Sequence, residues 1–292
     1  MENYKINNEN KDRLFKFIFG RPDKKKWLLS LYNAVNHSQY DNPDDITITT
    51  IEDAVYMSMK NDLSFLIDST MSFYEHQSTY NPNIPLRMMI YAGMVYSKLI
   101  SDRKKEKKKF SLYSTLAQKV PVPKLICFYN GLRDIGESRI LKLSEELPGW
   151  KEADIDAKVL MLNINWGRNR KLMDSCRPLS EYSQFVADMR QLYEETEDKD
   201  LAVETAVRNL PEDSEIRALL EANMAEVKMN CLTEYNDEEE KEVLREQYLE
   251  AGADRMGALG TILLKEGRTE DLQKAFTDSA YREKLFKEFG IA

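Results

Sequence analysis

The sequence predicts an α/β core followed by an all-helical extension, on three observations. Two alternating runs, 62–67 and 72–77, flank a turn-forming stretch and read as a β-hairpin. Lys124–Tyr129 is almost continuously apolar, the pattern of a strand covered on both faces. From about Leu179 onward the chain is charge-rich and helix-forming, without strand signals. Its 292 residues provide enough chain for a sizeable core. The expected division is a core over 1–178 and a helical region over 179–292.

In chain order, residues 11–19 and 26–36 read as two helices joined by a turn at Gly20-Arg21-Pro22-Asp23. A loop at Asn42-Pro43-Asp44-Asp45 precedes a β-branched strand, Ile46–Ile51, and Tyr56–Lys60 continues toward the hairpin. Asn81-Pro82-Asn83-Ile84-Pro85 introduces a long helix from about Leu86 to Lys105. Met88, Met89, Tyr91, Ala92, Val95, Tyr96 and Leu99 give that helix a wide apolar stripe. Val159–Trp166 is a further strand. Helices are expected over 181–194, 199–209, 214–230, 238–251, 254–267 and 269–289, the last two separated at Gly267-Arg268.

The hairpin carries the chemistry. Leu63, Phe65 and Ile67 share one face of the first strand, and Asp62, Ser64 and Leu66 the other. Asp68-Ser69-Thr70 supplies the turn. On the second strand Glu75 and Gln77 point the same way, because side chains two apart share a face, and His76 points to the other side. Beside Asp62 they would form an oxygen-rich pocket suited to a hard divalent cation such as Mg²⁺ or Mn²⁺. A half-exposed hairpin also carries such residues without any chemistry.

An Asp at the start of one strand followed by E-x-Q on the next resembles the PD-(D/E)XK nuclease core, with Gln77 where Lys usually stands. KDRLFKFIFG, YEHQSTYNPNIPLRMMIYA and PVPKLICFYNG, in that order, resemble successive blocks of the Rpn family of recombination-promoting nucleases and putative transposases, over roughly residues 10–235. The resemblance implies a restriction-endonuclease-like fold, a mixed central sheet flanked by helices. It also implies a metal-dependent DNA endonuclease with Asp62, Glu75 and Gln77 as catalytic residues. Asp62, Glu75 and the main-chain carbonyl of His76 would hold the metal. Gln is frequent at this family position, but an amide can only orient water where Lys would add charge. Glu52, ten residues before Asp62, is an additional acid in this reading or an exposed strand-end residue. Arg87 and Lys16 match family cations. For Arg87 a phosphate contact and an ion pair holding Glu75 are both open, and for Lys16 a solvated helix face is the alternative.

The net charge of −8 argues against a protein that coats DNA over its whole surface, while leaving room for a local basic groove. Two basic islands stand out. They are Arg21 with Lys24–Lys26, and the run Arg103–Lys109, whose Arg103, Lys104 and Lys105 close the helix after the hairpin and are the expected phosphate contacts. DNA is the expected partner, with a homodimer as a further option. Cys127, Cys176 and Cys231 form no C-x-x-C pair and no signal peptide precedes them, which predicts a reduced, cytoplasmic protein. No apolar run is long enough to cross a membrane. The two histidines, His37 and His76, and the lack of G-x-S-x-G, H-E-x-x-H or a Gly-rich phosphate loop leave little support for serine, zinc or ATP chemistry. The main alternative is a DNA- or protein-binding module that keeps the fold without cleavage, such as an accessory factor in mobile-element or phage biology.

Overall fold

A computed structural model describes residues 14–49, 63–105 and 111–291, without side-chain detail for 104–105 and 232–251. The sequence expectations at Asp62, Glu52 and Tyr56–Lys60 lie outside the described residues. The protein is α/β, with a mixed six-stranded sheet flanked by helices. The strands are β1 (Thr47–Ile48), β2 (Leu63–Ile67), β3 (Thr70–Gln77), β4 (Val122–Tyr129), β5 (Ser138–Lys142) and β6 (Lys158–Asn163), in the order β1-β2-β3-β4-β6-β5.

β2 and β3 form the antiparallel hairpin, in register from Leu63↔Tyr74 to Ile67↔Thr70. Its two-residue loop puts Asp68 at φ +49°, a left-handed conformation that Asp tolerates better than most residues, and the Tyr40 hydroxyl donates to the Asp68 carboxylate. β4 runs parallel to β3, which requires a crossover. The crossover is α3 (Ile84–Lys105). β6 is parallel to β4, and β5 closes that edge antiparallel.

Every residue from Met71 to Gln77 is buried, so both faces of β3 are covered. On one face Met71 and Phe73 pack with Cys127, Tyr129, Val159 and Met161 under Ile84, Met88, Tyr91 and Val95 of α3. The other face is aromatic. Phe15 of α1 (Leu14–Phe19) lies against Phe128, His76 and Tyr182, while Tyr32 of α2 (Lys25–Asn36) meets Phe65, which meets Tyr74 edge-on. Such ring pairs add about 0.5–1.5 kcal/mol each beyond the area they bury. Cys127, Cys176 and Cys231 are buried, and burial pushes the Cys176 thiol up to about 11.

Several boundaries differ from the sequence reading. Of the expected Ile46–Ile51 strand, Thr47–Ile48 lies in the sheet, and residues 50–51 lie outside the described part. β6 stops at Asn163, whose side-chain carbonyl accepts from the backbone and side chain of Asn165 and turns the chain. β5 and the short helices α4 (Leu143–Glu146) and α5 (Arg170–Ser175) carry no clear periodicity and were not expected. The helix expected over 214–230 breaks at Asn223 into α8 (Arg217–Ala222) and the start of α9 (Met224–Lys265). α9 in turn runs unbroken through Gly252 and Gly257, a tolerable cost of about 1 kcal/mol each against Ala. Asp278 divides 269–289 into α10 (Thr269–Thr277) and α11 (Ser279–Glu288), because its carboxylate accepts from Tyr281 N–H as an N-cap.

The compact units divide at Glu234/Tyr235, not at 178/179. α6 (Arg177–Thr196), α7 (Lys199–Asn209) and α8 therefore belong to the same unit as the sheet. The composition shift at Leu179 reflects the charged outer face of α6, whereas its Leu179, Tyr182 and Phe185 are fully buried. Glu181, itself buried, accepts from Ser214 Oγ at 2.9 Å and Ile216 N at 3.2 Å, tying α6 to the approach to α8. The second unit, Tyr235–Ala292, has its own small core of Leu259, Leu263, Ala275, Leu285 and Phe286. Gly267, at φ +72°, ends α9 there, with Arg268 N–H donating to Leu263 C=O at 2.8 Å.

Candidate active site

Glu75 and Gln77 project from the C-terminal end of β3 on the face covered by α3. Glu75 is 1% exposed and Gln77 5%, so the hairpin is not half-exposed here and its acid is a buried one. A buried carboxylate needs compensation. Arg87, in the first turn of α3, donates from Nη2 to Glu75 Oε1 at 2.5 Å, and Gln77 Nε2 reaches the same oxygen at 3.3 Å. Of the two roles open to Arg87 in the sequence, this structure therefore places it in the ion pair. Its side chain remains 25% exposed, and it also reaches the Tyr91 hydroxyl at 3.4 Å.

The register of the hairpin shows which β2 residues share the face of Glu75. Leu63 pairs with Tyr74, the residue before Glu75. Ser64 and Leu66 stand opposite Phe73 and Met71 and so share the face of Glu75 and Gln77. His76 occupies the other face. Its Nε2 is 3.0 Å from the Tyr182 hydroxyl and its ring stacks on Phe15 at 5.3 Å, a structural setting for the side chain.

Of the expected cations Arg87 is at this place, and Arg103 lies away from it. Lys16 sits half-buried on α1. Arg103 follows Arg87 by sixteen residues on the same helix, which puts it roughly 24 Å farther along the axis at 1.5 Å per residue. There its Nη1 donates to Lys119 C=O at 2.8 Å, near the start of β4 and thus at the other end of the sheet. Lys104 and Lys105 continue α3 at that end, their side chains outside the described part.

The neighbours that sequence reasoning missed come from the loops after β3 and β4. Asn130 N–H donates to Gln77 C=O at 3.1 Å. Gly131 then passes so close to the end of β3 that a Cβ would lie 2.0 Å from Ser78 O, so only glycine fits. Arg133 N–H donates to the Tyr129 hydroxyl at 3.0 Å, and the Arg133 guanidinium lies 4.1 Å from the centre of the Tyr80 ring. Asn130-Gly131 is legible in the sequence as a turn, yet what it delivers beside Gln77 depends on strand order.

Compared with family models, curated proteins and solved structures, the chain matches none. Among the described residues no three His, Cys, Asp or Glu side chains come together as a metal-binding group. The donors present, the Glu75 carboxylate and the Gln77 amide, are of the hard oxygen type that Mg²⁺ or Mn²⁺ accepts. The cation that compensates Glu75 in this structure is Arg87. Among the described residues no helix is long and apolar enough to cross a membrane.

Proposed function

We propose that this chain is a divalent-metal-dependent DNA endonuclease of the PD-(D/E)XK kind, hydrolysing phosphodiester bonds, as its resemblance to the Rpn nucleases implies. A link to recombination or mobile elements belongs to the same reading. The observation that carries it is the side-by-side projection of Glu75 and Gln77 from the end of a central strand, on the face shared by Ser64 and Leu66. Asp62 and Glu75, with the main-chain carbonyl of His76, would hold Mg²⁺ or Mn²⁺. A bound metal supplies a water of lowered pKa and stabilises charge on the phosphate. Gln77 orients that water through its amide, and Arg87 holds Glu75 in place until a second cation competes for it.

The test is nicking of supercoiled DNA by the full chain with Mg²⁺ or Mn²⁺, silenced by a chelator. Asp62→Ala and Glu75→Ala abolish it if the assignment is right. Cutting by either variant at the wild-type rate assigns the activity to another site or to a contaminant. A second reading, a nuclease-like fold that binds DNA or protein without cutting, is favoured by the Arg87 pair, which already compensates Glu75 without a metal. Metal-independent DNA binding with no cleavage at any metal concentration selects that reading.

A further inference from the structure

Tyr80, three residues past Gln77, has Arg133 over its ring at 4.1 Å and Arg139 at 5.4 Å. The Tyr80 hydroxyl donates to Glu146 Oε2 at 2.8 Å, and Arg139 Nη2 donates to Glu146 Oε1 at 3.1 Å. Burial, and then the bond to Glu146, raises the Tyr80 pKa, so the ring stays a neutral platform. In this group of four, one carboxylate answers one guanidinium. Arg133 is exposed and pairs with no carboxylate among the described residues.

Its position is fixed from below. The Gly131 approach to Ser78 and the bond from Arg133 N–H to the Tyr129 hydroxyl pin the turn against the end of β3. Held over the Tyr80 ring and paired with no carboxylate among the described residues, the Arg133 guanidinium keeps a planar fork of donors of the kind that suits a phosphate. On this basis we propose that Arg133, stacked on Tyr80, is a DNA phosphate contact that positions the strand at the Glu75–Gln77 end of the sheet. The Arg103 end is then not the face that receives the strand. This rests on the endonuclease reading and adds where the DNA backbone sits.

The experiment is fluorescence anisotropy of the full chain with a short labelled DNA duplex in chelator, so that nothing is cut, over a series of salt concentrations. Arg133→Ala weakens binding about fivefold or more and lowers the slope of log K against log salt by roughly 0.9, one phosphate contact. Arg133→Lys keeps most of the slope, and Tyr80→Leu weakens binding with the slope retained. Because Arg133 is exposed, unchanged thermal unfolding of the variant checks the fold. Unchanged affinity and slope in Arg133→Ala overturn this inference alone. So does a larger loss in Arg103→Ala than in Arg133→Ala. If the wild type binds no DNA at all, both this inference and the endonuclease reading fall.

Discussion

Glu75 and His76 are neighbours on one strand, equally buried, and held in opposite ways. His76 is locked into a neutral aromatic shell by Phe15 and Tyr182, groups with little freedom to leave. Glu75 is answered by a guanidinium on a long, partly exposed side chain and by an amide at the edge of hydrogen-bond range. The difference teaches that burial of a polar group does not mark a site. On the α3 face of β3 the compensation comes from partners that can be exchanged, a partly exposed guanidinium and a neighbouring amide.

Breaking the α3 face has the largest expected effect. Glu75→Ala abolishes nicking. Its stability loss stays below the ~3–5 kcal/mol seen on breaking a fully buried pair, because the partly exposed Arg87 can return to water. Plasmid nicking and urea unfolding on one preparation check both halves.

Phe15→Ala is the counterpart on the other face. Removing a fully buried ring that touches Phe19, His76, Phe128 and Tyr182 costs about 3–5 kcal/mol in urea unfolding. The folded fraction should still cut at the wild-type rate. A selective loss of cleavage would erase the contrast between the faces.

Next in size is Gln77→Ala, expected to slow single-turnover cleavage by roughly 10²-fold, as loss of a positioned polar group can. From sequence, two acids against one divalent ion suggest a modest gain for Gln77→Lys. Arg87 changes that balance by already placing a cation on Glu75, so Gln77→Lys is expected to give no gain. An alanine variant as fast as wild type would remove Gln77 from the mechanism.

The smallest effect is expected from Tyr182→Phe. It removes the hydroxyl partner of His76 Nε2 and costs about 1–2 kcal/mol, with cleavage unchanged, measurable as a lowered urea midpoint.

The sequence by itself determined the α/β class, the hairpin with its strand phase, and the pairing of Glu75 with Gln77 away from His76. These follow from the period of two and from local turn chemistry, which neighbouring residues specify. It also located β4 and the long helix α3, since strong apolar runs and stripes declare themselves locally. Tertiary structure alone decided three things: that Glu75 is buried and paired to Arg87, that Arg103 lies at the far end of α3 from it, and that α6–α8 belong with the sheet. It also brought Arg133 and Tyr80 together at the end of β3. Contacts between residues far apart in sequence depend on strand order and on which face a helix covers, and no short window of sequence encodes either.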